Sequence, residues 1–122
     1  VRMPLAVVTT KPLVFAEPIV AAVGLSQYFT GVFGPTLDAR AETKTETLGR
    51  ALAVCGSPGQ NWMVGDRSHD MVAGKAHGAR TVGVTWGIGD ETELTTAGAD
   101  HIVAAPQQLP YMMLGAGNRR RA

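Results

Sequence analysis

The chain has 122 residues, of which 45% are hydrophobic and 17% charged, a composition typical of one small globular domain and not of a disordered chain. Its net charge of +1 gives no electrostatic basis for binding nucleic acid or a membrane surface. The single cysteine, Cys55, excludes a disulfide framework and favours a reducing, cytoplasmic setting. No membrane span is predicted, because the apolar stretch 12–24 is short, carries Glu17 and is interrupted by Pro18.

The first half of the chain alternates short apolar runs with helical patterns. "PLAVVTT" is a β-branched run that predicts a strand ending at Thr9 and Thr10. Pro12 suits the first turn of a helix that extends to about Gly24, with a kink or a break into two pieces at Pro18. "YFTGVFG" predicts a second strand, "TLDARAETKTE" a polar loop, and "TETLGRALAVCG" a helix that ends at Gly56.

The second half repeats the same alternation. The predicted elements, in chain order, are a strand in "NWMVGD", a helix from about Ser68 to His77, a strand in "ARTVGVTW", a short helix in "ETELTTAGA", a strand in "HIVAA" and a last helical turn or two in "PQQLPYMML". Strands that alternate with helices indicate an α/β domain with a parallel sheet. In such sheets ligands bind at the carboxyl ends of the strands. The polar residues expected there are Thr9, Thr10, Asp66, Arg67, Asp70 and Asp90.

Two carboxylates in "MVGDRSHDMVAG" raise the question of a metal site. Asp66 follows a predicted strand directly, and Asp70 lies one helical turn further on. Carboxylates in this position can bind a hard cation such as Mg²⁺, which takes one or two of them together with phosphate oxygens and water. The alternative is that either aspartate only favours the positive end of the following helix. The spacing alone does not decide between the two.

Other polar residues have the same two interpretations. Thr9 and Thr10 precede a helix whose free N–H groups favour anions, so they can contact a phosphate oxygen or simply form a turn. Lys44, near the start of a helix, can neutralise a phosphate or lie on the surface, and Lys11 is equally ambiguous. The three histidines show no metal-ligand spacing, although His69 lies within the acidic segment.

Taken in order, "VVTTKP", "AETKTETLGRAL" and "WMVGDRSHDMVAGKAHGARTVGVTWGIG" resemble the haloacid dehalogenase (HAD) superfamily, and within it the phosphoglycolate phosphatase-like phosphatases. The resemblance covers roughly residues 5–109. It implies a three-layer, Rossmann-like parallel sheet and an Mg²⁺-dependent phosphatase acting through an aspartyl-phosphate on a small phosphomonoester, such as 2-phosphoglycolate or a nucleotide.

The resemblance also implies roles for individual residues. Thr9, helped by the backbone at Thr10, is expected to contact the transferred phosphoryl group, and Lys44 to balance its charge and that of the nucleophile. Asp66 is expected to be a ligand of Mg²⁺, and Asp70 to orient or help hold the metal. Arg67 and His69 are expected only to support this loop.

The sequence departs from the family in one important respect. The family's nucleophile lies in a D-x-D-G-T motif on the first, central strand, and these 122 residues contain no such motif; Asp38 is in the wrong context. We therefore expect residues 1–115 to form the C-terminal portion of a HAD core that lacks the first strand and the cap, with 116–122 as a disordered basic tail. The expected consequences are an inactive chain and self-association or dependence on a complementing chain. A non-catalytic remnant or binding module is the alternative function.

Overall fold

The computed structural model describes residues 4–37, 42–110 and 112–113. The chain divides between Asn61 and Trp62 into two compact units. Asp38 and the basic tail 116–122 lie outside the described residues. The last predicted helical segment is described over 106–110 and 112–113, and its helical character at 108–110 and 112–113 confirms the prediction.

The described part of the first unit contains two strands and two α-helices. These are β1 (Ala6–Val8), α1 (Leu13–Ala22), β2 (Gly31–Phe33) and α2 (Lys44–Cys55), with one 3₁₀ turn at Ser26–Tyr28. β1 and β2 pair in parallel, α1 packs on β2, and α2 packs on both strands. Pro18 lies inside α1 as a single helix, so the predicted break into two pieces is wrong.

A capping box fixes the start of α2. The Thr43 hydroxyl accepts a hydrogen bond from the Glu46 N–H at 3.1 Å, and the Glu46 carboxylate accepts one from the Thr43 N–H at 3.0 Å. These two bonds satisfy N–H groups that have no partner within the helix itself. Lys44 consequently becomes the first residue of the helix, and Leu48 and Ala51 are buried one and two turns further on.

Among its described residues, and apart from the helical residues 108–110 and 112–113, the second unit contains three parallel strands in the order β3-β4-β5 and two helices. They are β3 (Trp62–Gly65), α3 (Ser68–Ala76), β4 (Arg80–Val84), α4 (Glu91–Thr96) and β5 (His101–Val103). The middle strand, β4, is the most buried of the three, over Thr81–Val84, as expected for a strand covered on both faces. Met71 of α3 and Leu94 of α4 are completely buried, which anchors both helices.

The α/β class and the parallel pairing predicted from the sequence are confirmed, and the strands lie in two sheets. Each sheet has an edge at which the described residues show no neighbouring strand, and these edges include β1 in the first unit and β3 in the second. Among the described residues no helix has the length and apolar character needed to cross a membrane.

Candidate functional site

Asp66 lies immediately after β3, where the chain leaves the sheet. Its Oδ2 accepts a hydrogen bond from the Ile88 N–H at 2.7 Å, and its backbone carbonyl accepts one from the Gly89 N–H at 3.1 Å. The loop after β4 therefore holds Asp66 by both its side chain and its main chain. A side chain at Gly87 would collide with the Asp66 carboxylate, so the absence of a Cβ there permits the close approach.

Asp70 is buried in the first turn of α3, with only 4% of its surface exposed. Its Oδ2 accepts a hydrogen bond from the Arg67 N–H at 3.2 Å. A Cβ at Gly65 would collide with this carboxylate, which places the Asp70 side chain against the last residue of β3. Asp70 thus caps the start of α3 and at the same time points back towards the strand end that carries Asp66.

Glu93, on α4, holds the segment between the two aspartates. Its Oε2 accepts a hydrogen bond from the Ser68 N–H at 2.7 Å and one from Arg67 Nε at 3.0 Å. The Ser68 N–H, followed by the Arg67 guanidinium, lowers the pKa of Glu93. The sequence analysis missed Glu93, because the contact joins residues 25 and 26 positions apart and leaves no local pattern.

The donor set fits Mg²⁺ as a partial coordination shell. Asp66 and Asp70 both end near the carboxyl end of β3, and each has one oxygen held by a backbone N–H. No group of three or more His, Cys, Asp or Glu side chains suited to a metal occurs among the described residues. One or two carboxylates are nevertheless what Mg²⁺ takes from a protein when phosphate oxygens and water complete its octahedron.

The predicted phosphate-contacting residues lie at the carboxyl end of β1. The ammonium group of Lys44 donates a hydrogen bond to the Val8 carbonyl at 2.8 Å, so this lysine lies beside the strand end. The Thr9 hydroxyl accepts a hydrogen bond from the Lys11 N–H at 3.0 Å, and the Thr9 N–H donates to the Phe33 carbonyl. Thr9 and Lys44 are therefore neighbours in the first unit, whereas Thr10 is exposed.

Among the remaining candidates, one caps a helix and two lie on the surface. Asp90 caps α4, because its Oδ1 accepts a hydrogen bond from the Glu93 N–H at 2.8 Å. Lys11 and His69 are exposed.

The predicted site residues are divided between the two units. Asp66 and Asp70 belong to the second unit, and Thr9, Thr10 and Lys44 to the first.

The comparison with protein families identifies the family of this chain. The family model described as HAD-hydrolase-like matches residues 40–107, more than half of the chain. The chain belongs to the HAD-like hydrolases.

Three curated relatives illustrate the range of similarity. A phosphoglycolate phosphatase from Neisseria gonorrhoeae is 35% identical over 84% of this chain and 45% of its own length. A 5'-nucleotidase from Pseudomonas aeruginosa is 33% identical over 80% of this chain and 45% of its own length. The tyrosine-protein kinase PtkA from Mycobacterium tuberculosis is 41% identical over 70% of this chain and 30% of its own length.

The solved structures show the same relationship. The crystal structure of a predicted phosphatase from Clostridium acetobutylicum superposes with a TM-score of 0.84 at 31% identity, covering 92% of this chain and 52% of that one. The chain thus spans less than half the length of the three curated relatives and about half of the solved one.

Proposed function

We propose that this chain supplies the Mg²⁺-binding and phosphate-binding parts of a phosphatase that hydrolyses a small phosphomonoester. The observation that carries the proposal is the pair of carboxylates at the end of β3, each with one oxygen fixed by a backbone N–H. Asp66 is the Mg²⁺ ligand, and Asp70 orients or completes that ligand set. When bound, Mg²⁺ offsets negative charge on the phosphoryl oxygens.

Lys44 and Thr9 act on the phosphoryl group in this proposal. The Val8 carbonyl holds the Lys44 ammonium group at the end of β1, which supports a role for its charge in binding the phosphoryl anion there. The Thr9 hydroxyl and the Thr10 backbone provide further hydrogen bonds to a phosphate oxygen. Membership of the HAD-like hydrolases supports the role of Lys44, which lies within the matched residues 40–107.

The reaction further requires a nucleophilic carboxylate. Transfer to an aspartate forms an O–P bond to the carboxylate and breaks the ester O–P bond, and water then hydrolyses the aspartyl-phosphate. No two aspartates of this sequence are two positions apart, so the D-x-D-G-T motif has to come from outside these 122 residues. We therefore propose that the 122-residue chain alone does not turn over substrate.

The names of the relatives suggest the substrate class. One is a phosphoglycolate phosphatase and another a 5'-nucleotidase, which supports 2-phosphoglycolate or a nucleotide as the substrate. The cytoplasmic setting inferred from the lone Cys55 belongs to the same proposal.

A chromogenic phosphomonoester assay with Mg²⁺ tests the claim of inactivity. The 122-residue chain is expected to show no turnover above that of buffer containing Mg²⁺, because no attacking carboxylate is available. An Asp66→Asn variant prepared in parallel is the control for contaminating phosphatases. Turnover by the unaltered chain that Asp66→Asn abolishes would overturn the proposal of inactivity.

A binding module that needs a complementing chain is the second candidate. The observation that favours it is the position of β1 and β3, each of which pairs on one side only among the described strands. A strand with an unpaired row of N–H and C=O groups is a template for a strand from another chain.

A further inference from the structure

We propose that Glu93 is a positioning residue that holds the Asp66–Asp70 segment in its metal-binding conformation. This inference rests on the proposed Mg²⁺ site. Glu93 touches neither aspartate in any contact described above, and its effect passes through the two residues that follow Asp66.

The contact geometry supports this role. One oxygen of Glu93 receives both the Ser68 N–H at 2.7 Å and Arg67 Nε at 3.0 Å. Hydrogen bonds to an ionised carboxylate are about twice as strong as those between neutral groups. Arg67 and Ser68 lie between the aspartates, so Glu93 fixes the middle of the segment whose two ends carry the candidate ligands.

The helix that carries Glu93 is itself anchored. Leu94, the next residue, is completely buried. Asp90 caps the helix through the Glu93 N–H at 2.8 Å. A short helix held at its start and by a buried leucine offers a fixed point from which Glu93 can hold a separate segment.

The loop before α4 acts on the same segment. The N–H groups of Ile88 and Gly89 bind the side chain and the main chain of Asp66. Residues 88–93 therefore contact the Asp66–Asp70 segment at its first residue and, through Arg67 and Ser68, in its middle. The Arg67 N–H in turn binds Asp70, which extends the chain of contacts from Glu93 to the second carboxylate.

Charge explains why a carboxylate is needed at position 93. Bringing Asp66 and Asp70 together places two negative charges near each other before any cation binds. Arg67 is the cationic side chain within this segment, and its ion pair with Glu93 at 3.0 Å holds it in place. Removing Glu93 releases the guanidinium and the Ser68 N–H together, so the segment is expected to become more mobile.

The test measures Mg²⁺ affinity and local backbone protection in the 122-residue chain. Isothermal titration with Mg²⁺ is carried out on the unaltered chain, on Glu93→Gln and on Glu93→Ala. Glu93→Gln keeps the side-chain length and an acceptor oxygen, so it guards against loss of folding. Glu91→Gln is the matched control, since it removes the same charge from an exposed position in the same helix.

We expect Glu93→Ala to weaken Mg²⁺ binding by ~10–100-fold and Glu93→Gln by less, as is typical of residues that orient metal ligands. In metal-free samples, amide hydrogen exchange at Ser68 and its neighbours is expected to accelerate in both variants while β4 stays protected. Glu91→Gln is expected to change neither quantity.

Three results would overturn the inference, and they differ from one another. Mg²⁺ binding by the unaltered chain with equal affinity in all Glu93 variants would overturn the role of Glu93 alone. Absence of Mg²⁺ binding by the unaltered chain would overturn the proposed metal site, and the inference with it. Faster exchange throughout β4 as well as at Ser68 would indicate general destabilisation and would also count against positioning.

Discussion

Asp70 is both a helix cap and a candidate metal-site carboxylate. The spacing of Asp66 and Asp70 leaves these two roles as alternatives. In the structure the Asp70 carboxylate is 4% exposed and receives the Arg67 N–H. Burial of a charged side chain is costly unless it is paired, and a cation would provide further pairing. Capping and metal binding are therefore compatible at this residue.

Sequence reasoning found the candidate ligands but not the residues that support them. Asp66 and Asp70 were found because a strand end and a helical turn are local patterns. Glu93 and the Ile88 N–H were not found, since their contacts cross 22 to 26 positions and depend on the way in which α3 and α4 pack. Lys44 was placed at the start of a helix, but its hydrogen bond to the Val8 carbonyl spans 36 positions.

Asp100 gives a prediction about pH at the level of one residue. Its Oδ2 accepts hydrogen bonds from the N–H and the hydroxyl of the buried Thr81, at 2.9 and 3.1 Å. The Thr81 N–H lowers the pKa of Asp100 below its ordinary value of 3.8. Because the folded pKa is lowered, this contribution to stability is present above the ordinary pKa and is lost as the pH falls through the folded one.

We therefore expect Asp100→Asn to lower the free energy of unfolding at neutral pH and to have less effect below about pH 4. Urea unfolding of both proteins between about pH 3 and pH 7 measures the difference. An effect that stays constant over this range would contradict the role given to the charged form.

At the scale of elements, the strands and helices lie close to the positions predicted from the sequence. Short runs such as the β-branched "PLAVVTT" predicted all five strands, and in the structure these strands have three to five residues. The Thr43–Glu46 capping box starts α2 within the stretch assigned to a polar loop, because the cap is a side-chain hydrogen bond rather than a hydrophobic period. A local sequence pattern does not specify the distribution of the strands over two sheets, because strand order is set by tertiary pairing. The expectation of a core without its first strand is compatible with two separate sheets.

The edge strands lead to a prediction about association. β1 and β3 each pair on one side only among the described strands. In the first unit, Phe15 and Ile19 of α1 and Val23 at its C-cap are 54%, 50% and 61% exposed and follow one another at four-residue spacing. Exposed apolar groups and open strand edges both favour contact with another chain. We expect the 122-residue chain to self-associate.

Sedimentation velocity over a tenfold range of protein concentration measures self-association. The expected result is a weight-average mass that rises with concentration. A Phe15→Asp variant should shift the distribution towards monomer. A monomer at all concentrations with a sharp, reversible thermal transition would contradict the prediction.

At the scale of the whole molecule, family membership and reaction are separate conclusions. The chain is a HAD-like hydrolase by its family match, but its relatives include a phosphatase, a nucleotidase and a protein named a tyrosine kinase. The chain spans less than half of the length of each. The reaction therefore has to be argued from the carboxylates, the lysine and the threonine of this chain.

Titration of the 122-residue chain with Mg²⁺, followed by calorimetry, tests the proposed metal site most directly. We expect one site in the unaltered chain and a loss of affinity of more than roughly 100-fold in Asp66→Asn, because this variant removes the proposed ligand and residues that only orient ligands already contribute about 10–100-fold. Asp90→Asn is the matched control, because asparagine also caps a helix, and its affinity is expected to be unchanged. Equal Mg²⁺ affinity in the unaltered chain and Asp66→Asn, or no binding by either, would contradict the account.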